Sequence, residues 1–236
     1  VDPGGFAAAL LSGMMVDEGE LRADARVVET WVRGWTLARE TSAPVPDSGG
    51  WRVDVGWPEQ RARYVFPALG EGVRRLGETI TEPYVFLKAC APADALRSLL
   101  PPRWEMQRPR FMMMRDDVDP SASIALLDGY ALEIDADRPV PVARIVDSGG
   151  EVASIGRLAM VGAFGIYDRI ETHPDHRRQG LARTVMHALQ TLARSRGATR
   201  GVLVATAEGR ALYESLGWRL HSLYSTAVIP PMSAGT

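Results

Sequence analysis

Apolar residues recur at helical spacing in the second half of the chain, where Leu181, Val185, Leu189, Leu192 and Ala193 mark one helix face and Gly197 supplies the stop. The stretch 163–172 before it is rich in strand formers and ends at His173-Pro174. A strand at 201–206, a helix ending at Gly217 and a last strand opened by Trp218 follow. Upstream, 130–134 and 142–146 read as strands, and Ser148-Gly149-Gly150-Glu151 closes a hairpin onto 152–161. In the first half the pattern predicts a helix over 18–40, a turn-rich linker at 41–50 and an alternating strand at 51–55. A helix over 58–76 follows, spaced through Val65, Leu69, Val73 and Leu76, then a strand at 84–90, a short helix at 92–100 and a strand at 108–114. The order strand-helix-strand-helix-strand thus occurs twice, so the expected class is α/β (α+β) with a mixed sheet. The Asp- and Ser-rich break at 116–123 divides it into an N-terminal helical and α/β module, 1–115, and a domain over 124–230.

One junction carries candidate chemistry. Arg177-Arg178-Gln179-Gly180-Leu181-Ala182 lies between the predicted strand and its helix. The start of a helix leaves four backbone N–H groups without partners and adds a partial positive charge, which is how backbone binds a pyrophosphate. Gly180 allows close backbone approach, Ala182 keeps the first turn slim, and the two arginines add charge and donors. Taken alone, the same six residues also suit an ordinary strand-turn-helix connection with exposed arginines.

In this setting the sequence resembles the GNAT superfamily of acyl-coenzyme A dependent N-acetyltransferases, whose signature is Q/R-x-x-G-x-G/A after a strand ending in hydrophobic-x-Pro. Here Thr172-His173-Pro174-Asp175-His176 precedes the motif, and Ala211-Leu-Tyr-Glu-Ser-Leu-Gly-Trp218 is close to the family's A-x-Y-x-x-x-G-F. The resemblance covers about residues 130–230 and implies a sheet with splayed central strands. It implies acetyl-CoA as cosubstrate, held by Ile170, Glu171 and Thr172 along the strand, by Arg177, Arg178, Gln179, Gly180, Leu181, Ala182 and Arg183 at the loop, and by Thr206 and Tyr213. Thr206 stands where the family commonly has asparagine, which weakens a direct cofactor contact there. A backbone N–H near Ile170 is implied to polarise the thioester carbonyl.

Acyl transfer to an amine needs a neutral nucleophile, a stabilised oxyanion and a proton for the departing thiolate. Counting back from Arg177 to where family members place a base on this strand gives Asp168 or Ile166, and isoleucine cannot act as a base. Asp168 is therefore the first candidate base, with a structural ion pair to a neighbouring arginine as the alternative. Glu171 is the second candidate, although strict alternation points it to the opposite face and only a bulge reverses that. Tyr213 matches the family tyrosine that protonates the thiolate; an amphipathic tyrosine at a helix edge is the other reading.

The resemblance leaves the acceptor site open. The family's two roof helices after its first strand have no room between 134 and 142, so the roof must come from the first half, with the acceptor between the halves. That half is either a degenerate copy of the same half-fold or an unrelated α/β module, and a second strand splay between 51–55 and 84–90 would mark the copy. In it Gln60-Arg61-Ala62-Arg63-Tyr64-Val65 stands at the phosphate-loop position without a glycine, which predicts no coenzyme binding there. Trp31 and Trp35, four apart on one helix face, either line the acceptor pocket or bury against the module, and Met112-Met113-Met114 reads as strand core.

Composition narrows the picture without setting it. The chain has 236 residues, a formal net charge of −2 and one cysteine, Cys90. This gives no overall electrostatic footprint for nucleic acid or an anionic membrane, and suits a reducing cytoplasm. The apolar run 6–15 lacks a basic flank and a cleavage site, so a frayed first helix is expected rather than a signal peptide. The four histidines have no ligand spacing, so no metal is expected. The resulting expectation is an acetyl-CoA dependent N-acetyltransferase acting on a small or aminoglycoside-like amine. The alternatives are a protein or peptide N-acetyltransferase and a non-catalytic acyl-CoA-binding protein. A homodimer through an exposed final strand is a further expectation.

Overall fold

The computed structural model describes residues 23–117 and 126–231; the apolar stretch 6–15, the start of the expected first helix and most of the 116–123 break lie outside them. Helix α1 (Ala25–Arg39) is capped by the Asp24 carboxylate, which accepts from the Arg26 N–H. Strands β1 (Val45–Asp47), β2 (Gly50–Trp57) and β3 (Gln60–Phe66) follow, then α2 (Glu71–Thr79), β4 (Val85–Ala89), α3 (Ala93–Ser98), β5 (Glu105–Met106) and β6 (Arg110–Asp116). The second half adds β7 (Tyr130–Asp135), β8 (Val142–Asp147), β9 (Val152–Val161), β10 (Phe164–Thr172), α4 (Leu181–Ser195), β11 (Arg200–Ala205), α5 (Ala207–Ser215) and β12 (Arg219–Val228).

Among the described residues all the strands join one sheet in the order β1-β2-β3-β4-β12-β6-β11-β10-β9-β8-β7, with β5 also on β12. The halves interlock at its centre. In each half a parallel pair is bridged by a helix: β3 with β4 through α2, and β10 with β11 through α4. The last strand of each half then pairs with the other half: β6 beside β11, and the end of β12 beside β4. Strands β6 and β12 run antiparallel to each other at the crossing.

Several expectations are corrected here. The predicted helix over 58–76 is strand β3 followed by α2. Tyr64 and Phe66 turn onto the core beneath α2 and α3 while Val65 turns to the opposite core, and that period-2 burial outweighs the four-residue spacing that begins at Val65. The position equivalent to the phosphate loop is therefore 67–70, which does contain a glycine, Gly70. It is closed off: a Cβ on Gly72 would lie 1.7 Å from the Ser48 carbonyl oxygen of the β1–β2 turn. The last strand is not an exposed edge either, because β4 and β6 flank β12 and most of its residues are buried.

Three cores follow from the sheet's two faces. Helices α4 and α5 cover one face through Leu181, Val185, Leu189 and Tyr213, and α2 and α3 cover the first half through Val73 and Leu96. Helix α1 lies on the opposite face, burying Val28, Trp31, Val32 and Trp35 against strands from both halves. Gly34 permits this close approach, since a Cβ there would lie 2.2 Å from the Ile166 side chain. No described helix is long and apolar enough to cross a membrane.

Candidate active site

The turn before α4 has the geometry its sequence predicts. Gly180, the N-cap, is left-handed at φ 77°, and Arg178 shares a positive φ of 65°. The N–H groups of residues 178–182 meet no protein acceptor among the described residues, which leaves a run of free backbone donors at this turn. Gln179 is tied down: Tyr130 Oη donates to its Oε1 at 2.9 Å and lies 2.8 Å from His176 Nδ1. Nothing in the sequence motif pointed to that support from β7.

Pairing of β10 with β11 covers only Phe164, Gly165 and Ile166, after which the two parallel strands diverge. The equivalent pair in the first half, β3 and β4, stays paired from Ala62 to Phe66, so no second splay exists there. A cavity of about 910 Å³ opens between the end of β10, the α4 loop and the start of α5. Ile170, Glu171, Thr172, Arg177, Arg178, Gly180, Leu181, Ala182 and Arg183 all line it, so nine of the residues assigned to coenzyme share one wall. Gln179, Thr206 and Tyr213 do not. Thr206 instead caps α5, its hydroxyl accepting from the Gly209 N–H at 3.0 Å.

A bulge interrupts β10 at its midpoint. Asp168 is opposite Arg157 and Glu171 is opposite Ile155, so Arg169 and Ile170 share one partner position, with Arg169 at φ 50°. Gly156 makes room, since a Cβ there would lie 2.5 Å from Ile170 Cδ1. The bulge reverses the alternation. Glu171 comes round to the face of Ile166 and Asp168, which corrects its expected orientation away from them.

A second cavity, about 380 Å³, lies on that face beneath α1 and reaches through the splay to α5. Trp31, Trp35 and Arg39 of α1 form its roof, and Asp168, Glu171 and Tyr213 stand on its wall. The first half thus supplies the roof that the second half lacks. Asp168 is engaged: Arg39 donates to both carboxylate oxygens, Nε at 2.5 Å and Nη2 at 3.0 Å, and the pair is largely buried. Glu171 is exposed and has no side-chain partner among the described residues. Burial, with Asp168 second, raises the Tyr213 phenol well above its ordinary pKa, so it is a protonated donor at neutral pH.

Sequence reading missed the rest of this wall. Arg63, Lys88 and Arg110 come from β3, β4 and β6, and register puts them on one face: Lys88 is opposite Thr226, and Arg110 opposite Tyr224. The Arg63 guanidinium stacks on Trp35 at 3.4 Å from the ring centroid, and its Nη2 donates to Gln60 Oε1. The available signal was a cation at an inward position of a buried strand, which needs a local reason.

A GNAT-type sheet with an open splay, a free donor loop and a second cavity beyond a bulge defines an acyl-CoA binding fold with room for an acceptor. The chain belongs to the acetyltransferase (GNAT) family, whose model matches residues 96–218, and it is accordingly an acyl-CoA N-acyltransferase. Similar solved structures include a GCN5-related N-acetyltransferase from Kribbella flavida, with TM-score 0.63 and 14% identity, covering 89% of this chain and 96% of that one. A GCN5-related N-acetyltransferase-like protein from Streptococcus suis matches at TM-score 0.56 and 15% identity over 86% and 97%. A tandem GNAT protein from the clavulanic acid biosynthesis pathway matches at TM-score 0.50 and 14% identity over 73% and 76%. No curated protein matches the sequence.

Proposed function

We propose that this chain transfers an acetyl group from acetyl-CoA to the primary amine of a small molecule by direct attack within a ternary complex. One observation carries the reading: the two cavities share Ile170, Glu171 and Gly209, so a thioester laid along β10 meets an amine held under α1 at the bulge. Coenzyme phosphates would sit on the free N–H groups of 178–182, flanked by Arg177, Arg178 and Arg183. The ladder is interrupted at Arg169 and Ile170, and we assign a backbone N–H beside Ile170 to the developing oxyanion. The amine nitrogen bonds to the carbonyl carbon, the C–S bond breaks, and the thiolate takes the Tyr213 proton.

Geometry reorders the candidate bases. Both Asp168 oxygens are bound by Arg39, so we assign it to fixing Arg39 and α1 over the pocket. We assign Glu171, at the junction of the cavities, to receive the ammonium proton directly or through water. The modest volume of this pocket, about 380 Å³, supports a small amine over a peptide, which would need a longer crevice. Although the first half lacks the second splay, the reciprocal topology supports reading residues 1–115 as a degenerate GNAT half-fold and 124–230 as the coenzyme-binding domain, and the match to a tandem GNAT protein supports the same division.

The test is release of free thiol from acetyl-CoA across a panel of primary amines, with initial rates at varied concentrations of both substrates. Intersecting double-reciprocal lines are expected. Parallel lines would contradict direct attack, and thiol release from no amine despite coenzyme binding would leave a binding protein.

A further inference from the structure

The acceptor cavity contains more positive charge than an amine-binding site requires. Arg39, Arg63, Lys88, Arg110 and Arg169 line it, against only Asp168 and Glu171. Arg39 takes Asp168, whereas Arg63, Lys88 and Arg110 make no ion pair among the described residues. These three converge from separate strands on the wall beyond Trp35, away from the bulge.

Their polar atoms are also short of partners. Arg63 is 7% exposed, and its Nε has no hydrogen-bond acceptor. The Tyr224 hydroxyl, 3% exposed and on the same wall, lacks a partner as well. Lys88 donates to the Thr226 hydroxyl at 3.1 Å, which leaves two of its three N–H bonds available. Burial lowers Arg63 to about 10, and burial together with Arg63, Arg110 and Arg39 pushes Lys88 well below its ordinary value. Two desolvated cations side by side, Arg63 and Lys88, are costly unless an anion joins them, and the wall they form with the more exposed Arg110 repels a polycationic amine.

We infer that the acceptor is an amine bearing a carboxylate or phosphate, with the anionic group held by Arg63, Lys88, Arg110 and the Tyr224 hydroxyl while the amine faces Glu171 at the bulge. This rests on the acyl-transfer reading of the same site. It narrows the substrate class from any small amine to zwitterionic ones and places selectivity in the first half. Aminoglycoside-like acceptors are thereby disfavoured.

Matched pairs test it: α-amino acids against their carboxamides, and phosphoethanolamine against ethanolamine, with thiol release measured for each. The anionic member of at least one pair should show kcat/KM about tenfold or more above its neutral partner, the winning pair separating carboxylate from phosphate. Arg110→Gln, at an exposed position, and Lys88→Met should raise KM for the anionic member alone. Equal or better use of the neutral members would overturn the inference while leaving acyl transfer intact. Intrinsic fluorescence, sensitive to Trp35 beneath Arg63, gives a readout without turnover. Saturable quenching by inorganic phosphate or acetate that weakens in Arg110→Gln supports the subsite even if no amine reacts, and no quenching without discrimination overturns it.

Discussion

Two carboxylates on one strand face differ by what surrounds them. Asp168 is locked to Arg39, whereas Glu171 stands exposed where the cavities meet. Glu171→Gln should lower kcat by about a hundredfold with little change in thermal stability. Asp168→Asn strands Arg39 and should cost about 2 kcal/mol of stability, less than for a fully buried pair, measured by denaturant unfolding. If Asp168→Asn abolishes turnover in a fully stable protein, the assignments are reversed. His221 gives a pH dependence at the base of the roof. Its Nε2 accepts from the Asp24 N–H at 3.2 Å, and burial first, then Arg219, lowers its pKa below 6.5. Its contribution is therefore complete above the unfolded-state value and lost as pH falls through the folded-state value. Thermal midpoints should drop on acidification from neutral to about pH 5, and drop less in His221→Gln. An identical slope in the variant would exclude His221 as the source.

The loop and helix α4 were legible from sequence because Gly180, its arginines and the apolar spacing all lie in one continuous run of chain. The bulge was not, since the left-handed residue is Arg169, no glycine or proline stands among residues 168–171, and Gly156 lies across from it on another strand. Strand β3 was misread as helix because Val65, Leu69, Val73 and Leu76 span a strand end, a turn and a real helix at helical intervals. The roof depends on helix-on-sheet contact at Gly34, where a methyl group meets the buried Ile166 side chain. Gly34→Ala gains helix propensity but overpacks this contact, and a net destabilisation of about 1–2 kcal/mol is expected by thermal unfolding. A raised midpoint would show that α1 does not seat on β10 this closely.

At the scale of the whole molecule, the cavity at the α4 loop is built by the second half alone, whereas the cavity under α1 is lined by both halves, which exchanged strands join. The donor cavity lies in the second half, and the cationic wall comes from β3, β4 and β6. No sequence window holds Arg63, Lys88 and Arg110 together, because only the strand order assembles them. The same order encloses the final strand, whose apolar alternation alone reads equally well as an edge. The first half lacks a splay and has its helix start covered by Ser48, so acetyl-CoA should touch it only at the pocket. Amide hydrogen exchange with and without acetyl-CoA tests this division most directly. Peptides spanning 168–172 and 177–184 should be protected, with no change over 67–74. Protection at 67–74, or none at the α4 loop, would contradict it.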